Sequence, residues 1–258
     1  STTLEGSIPA APNTGQWELV SGEAVIQDPF SPQTNVDALT VGSHTFAWTI
    51  YNGPCEQALA SDTVMVFIFD ENQAPADAGD DQELCLPLNS TVLQGNSPIF
   101  PAAGNWQLIE GEASIQSPSS PTTAVTNLGQ GINTFVWMIS NGPCDDAMTT
   151  DTVQVLVFSE DAALADAGPD LELCTPESQV SLQAAEPDVP TTGTWTIIEG
   201  EGSISDVNDP NAVYSGLTVG EHVLQWSVYN GPCDSNNSFD VMTVTVYDAD
   251  SPVAEAGD

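Results

Sequence analysis

Apolar and polar residues alternate along short stretches of the chain, and Asn133 to Ser140 shows the pattern clearly. Phe135, Trp137 and Ile139 fall on one face of an extended strand, and the residues between them fall on the other. Similar stretches are separated by clusters of Gly, Pro, Asn and Ser that are typical of turns. Because no stretch shows a sustained apolar period of 3.6 residues, the pattern predicts an all-β protein.

The same pattern returns along the chain with a fixed period. The sequence Asn-Gly-Pro-Cys ends at Cys55, Cys144 and Cys233, and the intervals 144 − 55 and 233 − 144 are both 89 residues. A period of this length is that of a whole domain, so it predicts tandem copies of one domain. We place repeat 1 at 1–72, repeat 2 at 73–161, repeat 3 at 162–250 and the start of a following repeat at 251–258.

Each complete copy holds about seven short predicted strands, with turn signals roughly every 8 to 12 residues, which predicts tandem immunoglobulin-like β-sandwiches. The linkers between copies are short and acidic, and such linkers favour an extended rod. Each copy also carries two tryptophans at alternating apolar positions, which predicts that the pair packs in the core and does not stack on a ligand. These core tryptophans are Trp17, Trp48, Trp106, Trp137, Trp195 and Trp226.

The first copy opens inside the repeat. Ser1 aligns with Ser90, so the sequence of repeat 1 lacks its first strand and first cysteine. The chain also has no initiator Met, and we interpret it as part of a longer, exported protein. Two explanations stay open: a longer tandem array of which this is one part, or a fibre whose subunits complete each other by donating a strand.

The charge excludes whole classes of partner. The chain contains 37 Asp and Glu residues and no Lys or Arg, which gives a formal net charge of −37. Nucleic acid is excluded as a partner and anionic membrane surfaces are disfavoured, because no cationic side chain can meet a phosphate. No apolar run approaches the ~20 residues of a membrane span, so no membrane insertion is predicted for this segment. Dissolved cations, bound metal or high ionic strength must relieve the self-repulsion.

Five cysteines at two recurring positions predict disulfides and an oxidising, extracellular setting. Pairing within repeats joins Cys85 to Cys144 and Cys174 to Cys233, and leaves Cys55 for a partner outside the chain. The alternative joins Cys55 to Cys85 and Cys144 to Cys174 across the linkers. We favour pairing within repeats because it makes every module self-sufficient.

Acidic residues gather near the predicted linkers, where carboxylate oxygens suit Ca²⁺. The candidate calcium ligands are Asp77, Asp80, Asp81, Asp166 and Asp170. Solvated surface carboxylates are the alternative interpretation, because acidic residues are frequent along the whole chain. No other cofactor is expected.

Several motifs in fixed order resemble a known repeat. Residues Ala167 to Cys174 read Ala-Gly-Pro-Asp-Leu-Glu-Leu-Cys, and Gly193-Thr194-Trp195, Asn230 to Cys233 and a Val-rich closing strand follow. This order resembles the PKD-like, Ig-like tandem repeats of very large Bacteroidota cell-surface proteins, including gliding-motility-associated adhesins. The resemblance covers essentially the whole chain. It implies export to the cell surface, a β-sandwich fold and a role in adhesion or filament formation, although such modules serve as stalks in many proteins.

Two threonines resemble O-glycosylation sites of that bacterial group. Thr63 and Thr152 each follow an Asp and precede a Val. Turn chemistry at the entry to a strand explains the Asp-Thr pair equally well, so both explanations stay open.

No catalytic motif is recognisable, and we predict that the chain is not an enzyme. The two histidines, His44 and His222, align with Asn133 and are expected at an exposed turn. We expect a structural repeat module, the shaft of an extracellular filament or adhesin, and polymerisation of copies is an extension of this idea. The alternatives are a carbohydrate- or surface-binding module and an accessory region of a secreted enzyme. The expected partners are neighbouring repeats, copies of the same protein and surface glycans.

Overall fold

A computed structural model describes residues 1–53, 58–144, 148–233 and 237–250, which form three β-sandwich modules. Within these ranges all regular secondary structure is β-strand. The described part of the chain therefore has no helix with the length and apolar character needed to cross a membrane.

The strands of module 1 are β1 (Thr2–Glu5), β2 (Thr14–Ser21), β3 (Val25–Ile26), β4 (Gln33–Asp37), β5 (Gly42–Tyr51) and β6 (Ala58–Ile68). Those of module 2 are β7 (Gln82–Cys85), β8 (Thr91–Gln94), β9 (Ala103–Glu110), β10 (Ser114–Ile115), β11 (Thr122–Thr126), β12 (Gly131–Ser140) and β13 (Met148–Phe158). Those of module 3 are β14 (Leu171–Cys174), β15 (Gln179–Ser181), β16 (Thr192–Glu199), β17 (Ser203–Ile204), β18 (Val213–Ser215), β19 (Gly220–Tyr229) and β20 (Ser238–Tyr247).

Each module consists of two sheets, which have four and three strands in modules 2 and 3. In module 2 the strand orders are β7-β13-β12-β9 and β10-β11-β8, and module 3 repeats them as β14-β20-β19-β16 and β15-β18-β17. Module 1 has the three-stranded sheets β2-β5-β6 and β1-β4-β3. The prediction of tandem all-β, Ig-like sandwiches of about seven strands is confirmed. The repeat boundaries placed from the sequence stay predictions.

Strand directions give each module two distinct ends. In modules 2 and 3 the first strand runs parallel to the last, so that Cys85 lies beside Phe158 in module 2 and Cys174 lies beside Tyr247 in module 3. The last two strands are antiparallel, and the turn that joins them lies at the opposite end of the sandwich. We call the end with the last residue of the final strand the C-terminal pole, and the end with the Asn-Gly-Pro-Cys turn the N-terminal pole.

Two tryptophans fill the centre of each sandwich. They come from neighbouring strands and lie directly opposite each other in register, as Trp106 and Trp137 do in module 2. Their ring centroids are 4.9 to 5.0 Å apart in all three modules. None of the six rings is more than 5% exposed. Large apolar side chains pack around the pair, and Phe135 and Val153 are completely buried in module 2.

The sequence interpretation of the two histidines is wrong, because both side chains are buried. His44 and His222 are 1% exposed, and Asn133 at the matching position is 0% exposed. Asn133 donates from Nδ2 to the Gly129 carbonyl at 2.9 Å and accepts the Glu112 N–H at Oδ1. His44 reproduces this with Nε2 bonded to the Thr40 carbonyl at 2.8 Å and Nδ1 accepting the N–H of Glu23. A neutral imidazole thus replaces an amide because both place a donor and an acceptor at similar sites.

The indole N–H of the second tryptophan is satisfied in two modules and orphaned in the third. Trp137 Nε1 donates to Asn96 Oδ1 at 3.1 Å, and Trp48 Nε1 donates to the Ser7 carbonyl at 3.1 Å. Trp226 Nε1 is buried without a hydrogen-bond partner. The position that matches Asn96 in module 3 is Ala185, which has no polar side chain. A buried unpaired donor costs roughly 1–3 kcal/mol.

We expect the substitution Ala185→Asn to stabilise module 3 by about 1 kcal/mol, because its amide oxygen can accept the Trp226 N–H. The free energy of opening measured by amide hydrogen exchange in β19 checks this. Ala185→Leu is the matched control, since it adds comparable volume at an exposed position without an acceptor. An equal gain from both substitutions would contradict the explanation.

Candidate functional site: the junctions between modules

The distinctive chemistry of this chain lies where one sandwich meets the next. Each junction contains the Asn-Gly-Pro-Cys turn at the N-terminal pole of the following module. The turn glycines Gly142 and Gly231 have φ values of +60° and +55°, a left-handed conformation that glycine adopts without strain. The cysteine N–H then bonds back to the asparagine carbonyl, at 3.4 Å for Cys144 and 3.2 Å for Cys233.

The glycine of each turn packs against an aromatic ring at the C-terminal pole of the preceding module. A Cβ on Gly231 would overlap the ring of Phe158, and a Cβ on Gly142 would overlap the ring of Phe69. Phe158 is 1% exposed, and it also makes an edge-to-face contact with Tyr229, with ring centroids 6.2 Å apart. Only glycine permits such a close approach of the turn to a ring.

The asparagine of each turn binds the linker. Asn230 donates from Nδ2 to the carbonyl of Ser159 at 2.8 Å, and Asn141 donates in the same way to Asp70 at 2.7 Å. Both acceptors directly follow the aromatic residue that ends the preceding module. Asn230 is completely buried, and its Oδ1 accepts the hydroxyl of Thr191 at 3.1 Å. The two junctions therefore share one geometry, repeated after 89 residues.

A disulfide crosses the junction between modules 2 and 3. Cys85 at the C-terminal pole of module 2 bonds to Cys233 at the N-terminal pole of module 3, with Cα atoms 5.3 Å apart. Cys144 and Cys174 carry free thiols, and Cys55 lies outside the described residues. Both pairings expected from the sequence are therefore wrong.

Geometry explains why the expected pairings fail. Cys85 and Cys144 lie at opposite poles of module 2, which are separated by the eleven residues of β13. At ~3.3 Å per residue this is about 35 Å, whereas a disulfide needs Cα atoms within about 7 Å. Cys144 and Cys174 lie farther apart still, at the outer poles of two successive modules. The observed partners are 148 residues apart, which is the separation within a repeat, 59, plus one period of 89.

A tyrosine and a glutamate join the same two modules. The hydroxyl of Tyr229 donates to Oε2 of Glu83 at 2.8 Å. This hydrogen bond, together with burial and the charge of the carboxylate, raises the pKa of Tyr229 above its ordinary value of 10.0. The contact is specific to this junction, because Ser140 occupies the tyrosine position in module 2.

The junction between modules 1 and 2 contains a cavity instead of a disulfide. Its volume is about 260 Å³, and linker residues and the N-terminal pole of module 2 line it. Oδ1 of Asn141 is buried without a hydrogen-bond partner, because Ala102 replaces the threonine that serves Asn230. Phe67 and Phe100 add an edge-to-face contact across this junction, with centroids 6.4 Å apart.

Each linker then enters the next sandwich through an Ala-Asp-Ala-Gly segment. Ala78 donates its N–H to Asp151 Oδ2, and Ala167 donates to Asp240 Oδ2, both at 2.8 Å. The two alanines are 1% and 0% exposed. An aspartate on the last strand thus anchors the incoming chain before the first strand begins.

The acidic residues proposed as calcium ligands serve mainly as backbone acceptors. Asp77 and Asp166 each accept the N–H of the glycine two residues later, whereas Asp81 and Asp170 accept from Gln154 and Thr243. Asp80 lines a separate surface cavity. Among the residues that the structure describes, no group of three or more His, Cys, Asp or Glu side chains is arranged to hold a metal ion. Calcium binding stays a prediction.

Thr63 and Thr152, the residues proposed for glycosylation, both lie exposed on the last strands of modules 1 and 2. Exposure is required for modification, and it equally suits an unmodified strand. Glycosylation therefore also stays a prediction.

The sequence pattern did not identify Tyr229, Glu83 or the aromatic residue at the end of each module as junction residues. A signal was present, because Phe69, Phe158 and Tyr247 recur at the period of 89 residues. This signal does not by itself indicate a junction, because aromatic residues are common in β-strands and usually pack in the core of their own domain.

The chain is similar in sequence to several mammalian proteins, and no family model matches it. It is 28% identical to the Dyslexia-associated protein KIAA0319 homolog of Rattus norvegicus over 264 residues, which covers 93% of this chain and 24% of the relative. The Mus musculus protein of the same name is 25% identical and covers the same shares. The chain thus spans about a quarter of the length of these relatives.

Among solved structures, the solution structure of the PKD domain from KIAA 1837 protein is 26% identical over 36% of this chain and 93% of that domain, with a TM-score of 0.30. A TM-score this low establishes no shared arrangement of modules. The relatives named here are mammalian, so the Bacteroidota surface proteins of the sequence resemblance stay a prediction.

We expect Gly231→Ala to weaken the junction between modules 2 and 3 more than Gly53→Ala affects module 1. Both glycines have a left-handed φ, +55° and +53°, so both substitutions carry a similar backbone cost of about 1 kcal/mol. Only Gly231 faces a ring, since no heavy atom lies within 4 Å of the Cβ position on Gly53. Hydrogen-exchange protection of the Cys233 and Ser159 amides checks this, and equal effects of the two substitutions would disprove the packing role.

We expect the pKa of Tyr229 to fall towards 10 when Glu83 is replaced by Gln, because the carboxylate that favours the protonated phenol is removed. In the native chain the Tyr229–Glu83 bond is fully present below the ordinary tyrosine pKa and is lost as the pH rises through the raised pKa. Nuclear magnetic resonance titration of ring-labelled tyrosine measures this. Glu172→Gln is the control, because Glu172 raises the pKa of Tyr247 and should leave Tyr229 unchanged.

Proposed function

We propose that this chain is a structural spacer of an extracellular or cell-surface protein, the shaft of an adhesin-type molecule. Its modules hold other parts of the protein at a distance, and their junctions resist bending. The observation that carries the proposal is the junction between modules 2 and 3. There a disulfide, a buried asparagine and an aromatic contact join the two sandwiches through Cys85–Cys233, Asn230 and Phe158.

The shared geometry of the two junctions supports a repeating spacer. If the chain were a set of independent binding domains on flexible linkers, nothing would require Asn141 and Asn230 to bind matching carbonyls, at 2.7 and 2.8 Å. Ala76 and Ala165 likewise bond to matching hydroxyls on the last strands, at Thr149 and Ser238. Each linker is thereby part of the module that follows it, which leaves little freedom at the hinge.

The position of the poles supports an extended rod. The chain leaves each sandwich at the C-terminal pole, and the next sandwich begins there with its N-terminal pole. Strands β12 and β19 contain ten residues each, and at ~3.3 Å per residue a module is about 33 Å long. Three modules stacked end to end therefore extend over roughly 100 Å.

The disulfide and the charge support an extracellular location. Structural disulfides persist in oxidising compartments and are rare in the cytosol. A net charge of −37 without a single Lys or Arg keeps successive modules apart except where specific contacts hold them, and it favours an extended chain in water. Adhesion as the biological role rests on the sequence resemblance to surface adhesins.

Small-angle X-ray scattering of the full chain tests the spacer. We expect a maximum dimension of roughly 100 Å and a narrow conformational distribution. Cys85→Ser should broaden the distribution between modules 2 and 3. Cys174→Ser, at the matching position with a free thiol, should leave it unchanged. A compact particle, or a distribution that is equally broad for the native chain and Cys85→Ser, would contradict the proposal.

A further inference from the structure

The outer face of the larger sheet in module 3 carries an open groove that the spacer function does not use. Its volume is about 330 Å³, and side chains of β16, β19 and β20 line it. The central strand of the three, β19, is paired with both neighbours along its length, so its backbone N–H and C=O groups are already engaged in the sheet. Side chains must therefore recognise whatever binds on this face.

Two aromatic rings stand in the groove. Tyr229 is 48% exposed and Phe239 is 68% exposed. Phe239 lies directly opposite Ser227 in register, and Tyr229 follows Ser227 by two residues on the same side of β19. The two rings are therefore diagonal neighbours on one face, close enough for a single ligand to contact both. Covering exposed apolar surface of this kind is favourable in water.

The ring of Tyr229 is held in position before any ligand arrives. Its hydroxyl donates to Glu83 at 2.8 Å, and its ring makes the edge-to-face contact with Phe158. Both partners belong to module 2, and about half of the ring stays exposed. A ring that is already fixed loses little conformational freedom when a ligand stacks on it.

Two hydroxyl groups in the groove have a proton to donate. Thr194 Oγ1 accepts from Nδ2 of Asn208 at 3.3 Å, and Ser227 Oγ accepts from Nε2 of Gln225 at 2.8 Å. A hydroxyl group can donate one hydrogen bond while it accepts another. The neighbouring amides therefore orient both oxygens and leave their O–H groups for a ligand.

The groove differs in charge from the chain as a whole. Asp and Glu make up 37 of the 258 residues, yet none of the described residues that line the groove is acidic. Val241, which is 49% exposed, continues the uncharged surface on the same side of β20. An uncharged ligand meets no repulsion here, whereas a second copy of the chain would bring another charge of −37 to this face.

The three modules differ at the two aromatic positions. Module 2 has Ser140 and Thr150 there, and module 1 has Tyr51 and Ser61. Only the sequence of module 3 has an aromatic residue at both positions. The aromatic pair is therefore not required by the sandwich or by its junctions.

We propose that this groove binds an uncharged polysaccharide. A sugar ring has an apolar face of C–H groups and a rim of hydroxyl groups, so it complements aromatic rings that stand beside hydroxyl donors. The sugar rings stack on Tyr229 and Phe239. Their hydroxyl oxygens accept hydrogen bonds from Thr194 and Ser227. The site goes beyond the spacer function, because it attaches module 3 to a polysaccharide.

Isothermal titration calorimetry of the full 258-residue chain tests the proposal. Cellohexaose, chitohexaose and mannohexaose are the uncharged probes, and hexagalacturonate is the acidic one. We expect saturable binding of at least one uncharged probe with a Kd below about 1 mM, and no binding of hexagalacturonate. Failure of all three uncharged probes to bind, or equal binding of hexagalacturonate, would overturn the proposal.

Nuclear magnetic resonance locates the bound probe. The backbone amide signals of Thr194, Ser227 and Phe239 should shift on titration. Those of Met138 and Thr150, at matching positions in module 2, should stay unchanged. Shifts confined to another surface of the chain would show that the groove is not the site.

Substitutions separate the groove from the rest of the surface. Phe239→Ala should raise the Kd about tenfold or more, and an unchanged melting temperature shows that the sandwich remains folded. Phe30→Ala is the matched control, because Phe30 is 66% exposed in module 1 and does not line the groove. Thr194→Val keeps the shape and removes the hydroxyl, which should raise the Kd about fivefold. Equal effects of Phe239→Ala and Phe30→Ala would contradict the proposal.

Sedimentation velocity without any sugar tests the competing occupant. A dimer that Phe239→Ala abolishes would assign the face to a second copy of the chain and overturn the proposal. The spacer function is judged separately by the scattering experiment. A rigid rod that binds no uncharged probe keeps the spacer and removes this site, whereas a flexible chain that binds one removes the spacer and keeps the site.

Discussion

The parallel pairing of the first strand with the last strand is the constraint on which the junctions depend. Because β7 and β13 end side by side, Cys85, Phe158 and the first linker residue emerge at one pole. The turn of the next module meets all three at once, through its cysteine, glycine and asparagine. An antiparallel first strand would end at the other pole, and the same cysteine would then face its own turn. One strand direction therefore decides whether the disulfide locks a module internally or joins it to its neighbour.

The fold could be predicted because alternation and periodicity are local properties. Phe135, Trp137 and Ile139 alternate in the sequence and face one core in the structure, and the 89-residue period separates the three sandwiches. The disulfide could not be predicted in the same way. A period shows which residues are equivalent, but Cys85 is compatible with its own turn and with the next one. Only the direction of a four-residue strand decides between them, and no pattern in the sequence reports that direction.

The alignment of the repeats was also misleading at a position where different residue types make the same hydrogen bond. His44 and His222 align with Asn133, and the change of residue type at this position favoured an exposed turn. What they share is a buried hydrogen bond to a loop carbonyl, at Thr40, Gly129 and Thr218, which a ring N–H and an amide N–H can both donate. The reverse occurs at Asn96 and Ala185, where the backbone position is conserved between modules but the hydrogen bond to the core tryptophan is lost in module 3.

The absence of Lys and Arg changes how carboxylates are used. With no cationic side chain to pair with, aspartates accept backbone N–H groups and fasten the entering strand to the sandwich. Asp151 and Asp240 do this for buried alanines, so the acidic residue and the small residue form one unit. Such bonds are local and direct, and added salt weakens them less than it weakens a distant ion pair.

The disulfide between Cys85 and Cys233 also determines how the chain would carry tension. A force applied to the two ends passes from β7 through the sulfur–sulfur bond to the turn of module 3, and the residues between the two cysteines bear none of it. Strands β8 to β19 lie inside that protected loop, whereas β7 and β20 lie outside it. Module 1, β7 and β20 are then the parts that extend first. A shaft with such a disulfide at every junction would lengthen under load in short steps, because only the residues outside the disulfide loops can extend. No domain would unfold completely.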